Sequence, residues 1–244
     1  MDSQEPSTPV VLPYRSPYRP VQWIGEKDVA HPSFGPAIFT AAALWFLIQI
    51  VSAWVFHPSY SLVSNTISDL GETSCRGAYG NGMCSPRWWL TDYVGFLLLG
   101  LVMIIGSALL YHEFSQRVPR ERRAAMIGFT LMALADLGSI LVGFFPKNVD
   151  RTIHILGAFL AIGFGNLAIF ALGAFLTLPE SMRRSLLTFS SLALAALVCF
   201  AGHKYFGIGG GIMERIAAYP ETIWLITLGL YVWRFHPQES GSYT

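Results

Sequence analysis

The sequence predicts an all-α fold, a polytopic membrane bundle of six transmembrane helices with a long first extracytoplasmic loop. Three observations carry this. Of 244 residues only 13% are charged, about half of the ~25% usual in soluble domains. Hydrophobic residues make up 53% of the chain, and its mean hydropathy is +0.47. Six stretches approach the roughly 20 apolar residues that a membrane helix needs, and such long apolar runs do not arise from the alternating strands of a barrel. The net charge of +1 gives no bulk electrostatic case for a nucleic-acid partner.

Taken in chain order, residues 1–35 are polar and proline-rich, with Pro13-Tyr14-Arg15 echoed by Pro17-Tyr18-Arg19. Such a segment cannot bury a core and is expected to be a disordered cytoplasmic tail. No cleavable signal peptide is expected, because the first apolar run comes too late and is too long. The membrane domain is expected over 36–235, with spans at Pro36–Phe56, Trp89–Tyr111, Ala124–Phe145, Ile153–Leu178, Ser185–His203 and Ile212–Phe235. The last is interrupted by Glu214, Pro220 and Glu221 and is expected to kink at Pro220. Residues 236–244 form a short cytoplasmic tail. Gly207-Ile208-Gly209-Gly210-Gly211, between the last two spans, has no preceding strand and reads as a flexible hinge, not a nucleotide loop.

With six spans both termini share one side. That side collects Arg15, Arg19, Lys27, Arg117, Arg120, Arg122, Arg123, Arg183, Arg184 and Arg234, and the dense cluster Arg117–Arg123 places it inside. The expected location is the cell (plasma) membrane, with both termini cytoplasmic. Cys75 and Cys84 then fall in the outer loop among glycines, where an oxidising compartment favours a disulfide. Free thiols and metal ligation are the alternatives. Cys199 reads as inert helix packing.

Ionisable residues inside spans cost about 2.5–3.5 kcal/mol each on insertion scales and are functional candidates. Asp136, His154, His203, Glu214 and Glu221 all fall in the outer half of their spans. Glu214 and Glu221, spaced i, i+7 with Ala217 and Ala218 between, share a helix face. His154 shares one with Ala158, Ala161 and Gly165, and Asp136 with Ala133, Ser139 and Gly143. Small residues let membrane helices approach closely, so these five are expected to line one outer polar pocket as catalytic candidates. His57, Asn65, Ser68 and Asp69, from the hydroxyl-rich first loop, are the binding candidates, and that loop is expected to fold over the bundle as a lid.

The run Asn65-Thr66-Ile67-Ser68-Asp69-Leu70-Gly71, followed by Cys75 and Cys84-Ser85-Pro86-Arg87, resembles the Domain of Unknown Function 998 family of bacterial membrane proteins. Gly143-Phe144-Phe145-Pro146, His154-Ile155-Leu156-Gly157 and Glu214-Arg215 extend the resemblance over roughly residues 38–235. It implies a six-helix bundle and supplies no reaction.

Three functional readings follow. In the first, the outer pocket binds or modifies a lipid-like molecule, with membrane lipids as partners and His154 or His203 as general base beside Glu214, Glu221 or Asp136. Ser68 is a possible nucleophile there, although no Gly-x-Ser-x-Gly elbow surrounds it. A zinc-dependent variant would use His57, His154 and His203 as ligands. In the second, ion pairs such as Glu214 with Lys147 or Arg151, and Asp136 with His154, only hold a non-catalytic accessory subunit together. The third is a small-solute or proton transporter, opposed by the scarcity of charge in the inner halves of the spans.

Overall fold

The computed structural model describes residues 38, 41–57, 59–73, 85–115 and 119–235. Every regular element among them is helical. Helix α1 covers Leu44–Trp54. Helix α2 opens with a wide π-helical stretch at Leu90–Leu98 and continues as α-helix through Leu99–Ser115. Helix α3 is Pro119–Phe144. Helix α4 runs over Arg151–Phe175, with a π turn at Leu160–Phe164 in its middle. Helix α5 is Glu180–Ala201, and α6 is Gly210–Phe235. Between α1 and α2, Ile67–Gly71 forms a short 3-10 turn.

Four of these helices are long and apolar enough to cross a membrane: Leu90–His112, Pro119–Phe144, Arg151–Phe175 and Glu180–Ala201. Their outer faces carry large exposed hydrophobics such as Leu101, Leu137, Leu192 and Val198, the surface expected of helices that meet lipid chains. The membrane helix bundle read from composition is therefore the class observed. Helix α1 is apolar but spans only 11 described residues. Helix α6 is 26 residues long and carries Glu214, Arg215 and Glu221; its helical run continues through Pro220.

Consecutive helices from α2 to α6 pack side by side, α6 also touches α4, and the 3-10 turn bridges α1, α2 and α6. The α3–α4 pair is the tightest. A Cβ on Gly138 would meet the Gly157 carbonyl and the Ala161 amide, and one on Gly157 would meet the Gly138 carbonyl. The small-residue face of α4 thus serves internal packing. The connection between α3 and α4 is equally compact. The Pro146 carbonyl accepts from Val149 N–H and Asp150 N–H, and the Asp150 carboxylate caps α4 by accepting from Thr152 and Ile153 N–H, both at 3.0 Å. His154 is thereby fixed in the first turn of α4.

Burial divides the molecule lengthwise. The larger apolar core packs Leu110, Phe114, Phe129, Leu172, Leu176 and Leu186 around the α2–α3 and α4–α5 connections. The buried polar residues Asp69, Glu214, Arg215 and His154 gather at the opposite end, where the first loop lies.

The glycine-rich segment before α6 is not the free hinge expected from sequence. Gly207 and Gly209 have φ of 83° and 88°, and Gly211 N–H donates to the Val63 carbonyl at 3.0 Å. Side chains at Gly209 or Gly211 would strike the backbone of Val63 or Asn65. These glycines let the first loop lie directly on the α5–α6 connection.

Candidate functional site

The loop from Tyr60 to Thr73 is organised first by its own side chains. Tyr60 OH donates to the Thr66 carbonyl at 2.6 Å, and Asn65 Oδ1 accepts from Ser61 N–H at 2.9 Å. Asp69 Oδ2 accepts from Thr66 N–H at 2.8 Å, closing the start of the 3-10 turn. This is the cap-and-turn chemistry that the Thr-x-x-Asp spacing allows.

Three long-range clamps dock the loop. Arg215 Nη1 donates to the carbonyls of Leu62 (3.2 Å), Asn65 (2.8 Å) and Gly211 (2.8 Å), while Nη2 donates to Tyr60 OH. Its Nε donates to Tyr219 OH at 3.2 Å, which in turn donates to Gln49 Oε1 at 2.8 Å, so the network reaches α1. Lys147 pairs with Asp69 and lies 3.9 Å from Glu72. Asn148 exchanges two hydrogen bonds with Thr73, at 3.2 and 2.8 Å. Burial raises the Tyr60 hydroxyl above its ordinary 10.0 despite Arg215, so it remains a protonated donor. Burial likewise raises Glu72 above its ordinary 4.5, with Lys147 opposing and Asp69 reinforcing the shift.

Under this lid sits the group that combines loop and bundle. Glu214, 5% exposed, accepts from Ile67 N–H. Ser68 Oγ lies 2.9 Å from His154 Nε2 and 3.3 Å from Glu214 Oε1. His154 Nδ1 lies 2.9 Å from the Phe145 carbonyl. A carbonyl only accepts, so Nδ1 carries the ring proton and donates to it. In the neutral ring Nε2 is then an acceptor, and it competes with Glu214 Oε1 for the single Ser68 hydroxyl proton; Nε2, at 2.9 Å against 3.3 Å, is the nearer of the two. The Phe145 carbonyl takes the orienting place that a carboxylate fills in many serine–histidine pairs.

Ser68 and Glu214 also line a cavity of about 110 Å³ between the helices. Its walls include Trp45, Phe96, Leu99 and Met103, and its remaining acids are Asp136 and Glu221. Asp136 is 5% exposed, and its Oδ2 has no hydrogen-bond partner among the described residues. Asn166 braces the wall, with Nδ2 donating to the carbonyls of Ile162 at 2.8 Å and Ala217 at 2.9 Å. The Ile162 bond falls within the π turn of α4.

The structure thus brings together Ser68, Asp69, Asn65, His154 and Glu214, and places Asp136 and Glu221 on the same cavity. It does not bring His203 there. Helix α5 ends at Ala201, and His203 follows in a left-handed conformation (φ 53°), exposed and 2.9 Å from Tyr205 OH. His57 is exposed beyond the end of α1 and is not among the cavity residues. Among the described residues no three His, Cys, Asp or Glu side chains are grouped to hold a metal ion. Cys75 and Cys84 lie outside the described residues.

Two of the pairings expected from sequence, Lys147 with Glu214 and His154 with Asp136, give way to others. Lys147 reaches Asp69 and not Glu214, and His154 turns to Ser68 and not Asp136. Sequence reasoning named neither Arg215 nor Tyr60 as part of the site. The available signal was an arginine adjacent to Glu214 within an apolar stretch, a costly position that calls for a partner.

No match is found among curated proteins or among solved structures. A family model described as "Protein of unknown function (DUF998)" matches residues 40–231, most of the chain and all of the site. The chain belongs to the DUF998 family.

Proposed function

We propose that this protein binds a lipid-like molecule from the outer leaflet of the plasma membrane and modifies it by acyl transfer. In this reading all six helices span the bilayer, both termini are cytoplasmic, and Cys75 and Cys84 are joined in the outer compartment. The observation that carries the proposal is the Ser68–His154 hydrogen bond of 2.9 Å at a cavity with largely apolar walls. A nucleophile held by an oriented base is the minimum that acyl transfer needs. Ser68 Oγ attacks the acyl carbonyl as its proton passes to His154 Nε2. His154 then gives that proton to the departing oxygen, leaving an acyl-serine. Water then adds to the acyl carbon as it gives a proton to His154, the bond to Ser68 Oγ breaks to release the acid, and His154 returns that proton to Ser68 Oγ.

A fluorophosphonate probe applied to membranes containing the protein tests this directly. Ser68 is expected to become labelled, and His154→Ala to slow labelling by about 10²-fold or more. Absence of label on Ser68, with the lipid profile of Ser68→Ala cells unchanged, rejects the reading.

A second reading, a non-catalytic accessory subunit, is favoured by the way Glu214 and Arg215 bind loop backbone. It predicts that Ser68→Ala and His154→Ala are silent while Arg215→Ala loosens the lid.

A further inference from the structure

The acyl-transfer reading leaves Asp136 and Glu221 unused. Both line the cavity, together with the hydroxyl-bearing Ser139 and Thr222. A carboxylate held away from water either takes up a proton or is matched by a counter-charge. Cations at this end are engaged elsewhere: among the described residues Lys147 pairs with Asp69 and approaches Glu72, and Arg215 is committed to the lid. No salt bridge among the described residues reaches Asp136 or Glu221. Asp136 lines the cavity, is 95% buried, and its Oδ2 has no hydrogen-bond partner among the described residues. Gly165 adds a second sign of a shaped site, since a Cβ there would run into the Glu221 carboxylate.

From these observations we infer that the cavity takes a ligand bearing a small organic ammonium group, held between Asp136 and Glu221. The inference rests on the lipid-binding reading and names its substrate class: an amphiphile with a primary amine. An inorganic ion fits less well, because the donors are few and among the described residues no three acids or histidines are grouped to hold one. Apolar walls with Trp45 and Phe96 suit the methylenes of an alkylammonium. About 110 Å³ is somewhat smaller than the roughly 150 Å³ engineered cavity that admits benzene, so the ammonium head enters and the rest of the molecule projects from it. Glu221 follows Glu214 by two helical turns, about 10 Å along α6. The ammonium therefore sits about that far from the Ser68–Glu214 end.

The test uses the full chain purified in a non-ionic detergent and treated with dicyclohexylcarbodiimide, which adds to buried protonated carboxyls and leaves an acylurea detectable on the peptide. Hexylammonium chloride, hexanol and sodium chloride are compared as protectants, with ionic strength held equal. Hexylammonium at ten times its Kd leaves about a tenth of the sites free, so labelling of Asp136 and Glu221 is expected to fall about tenfold. Hexanol and sodium are expected to leave it unchanged. Equal protection by hexanol reduces the site to an apolar filling, and equal protection by sodium makes it an inorganic cation site; either overturns the inference. So does an absence of labelling combined with no rise in the unfolding midpoint with hexylammonium. Asp136→Asn and Glu221→Gln are expected to abolish that rise, and if neither folds, the three-protectant comparison on the unaltered chain still decides. Fluorophosphonate labelling of Ser68 reads the acyl-transfer proposal separately, so one can fail while the other stands.

Discussion

Glu214 shows how one side chain can set both lid and chemistry. Its carboxylate accepts from Ile67 N–H, which has turned away from solvent at the start of the 3-10 turn, and it stands 3.3 Å from Ser68 Oγ. Glu214→Ala leaves that amide unsatisfied, a loss of about 1–3 kcal/mol. Glu214→Gln keeps an acceptor oxygen and is expected to recover most of the stability, as read from SDS-induced unfolding in mixed micelles. Glu72 tests the opposite sign. Burial holds its pKa above the ordinary 4.5, so the folded chain binds the proton more tightly than the unfolded one. The stability this contributes is complete below pH 4.5 and is lost as pH rises through the folded value. Glu72→Gln is therefore expected to unfold at a higher temperature than the parent at pH 7 and to converge with it below about pH 4.5. A lower midpoint at pH 7 would mean that the pairing with Lys147, at 3.9 Å, outweighs the cost of burial.

At the scale of elements, helices were legible and their junctions were not. The apolar run read as Trp89–Tyr111 is the helix Leu90–His112, and Ala124–Phe145 lies almost wholly within Pro119–Phe144. Hydropathy marks buried or lipid-facing length but not how a helix starts, so the polar first turns of α3 and α5 fell outside the expected spans. The π segments at Leu90–Leu98 and Leu160–Phe164 have no composition signature, because they shift backbone bonds without changing which residues are apolar. His203 was misplaced for a related reason. Helical periodicity locates a side chain only while the helix lasts, and α5 ends two residues earlier. His154, one turn inside α4, obeyed it. Helix spacing also separates two glycines of similar appearance. Gly138 faces the backbone of α4, which cannot swing aside as a side chain can, so Gly138→Val is expected to cost about 1–3 kcal/mol. The nearest atom to a Cβ on Gly163 is Leu197 Cδ2 at 3.7 Å, an ordinary contact. Gly163→Ala is expected to gain about 0.5–1 kcal/mol from helix propensity in the same unfolding assay.

For the molecule as a whole, the division into an apolar end and a polar end is the property that function needs. Of the charged and titratable groups buried in the helices, which include Asp92, Glu121 and Asp136, it is His154, Glu214 and Arg215 that are assembled by contacts between residues as far apart as Ser68 and His154 or Tyr60 and Arg215. Sequence spacing put the acids and His154 toward one side of the bilayer; only the fold could choose which of them meet. The side itself rests on the basic cluster Arg117–Arg123 in the sequence, and it is open to a direct measurement. Ser64 in the lid loop and Arg122 at the start of α3 are both exposed, so each can be replaced by cysteine and probed in intact cells with a membrane-impermeant maleimide. If the positive-inside asymmetry sets the topology, Ser64→Cys labels in intact cells, whereas Arg122→Cys labels only after lysis. Prior reduction is expected to add reactive thiols at Cys75 and Cys84, as a pair bridged in the oxidising outer compartment would. The reverse pattern, with Arg122→Cys labelled from outside, would turn the Ser68–His154 group toward the cytoplasm. The ligand would then have to come from the inner leaflet, and an outer-leaflet lipid activity would be ruled out even if Ser68 proved reactive.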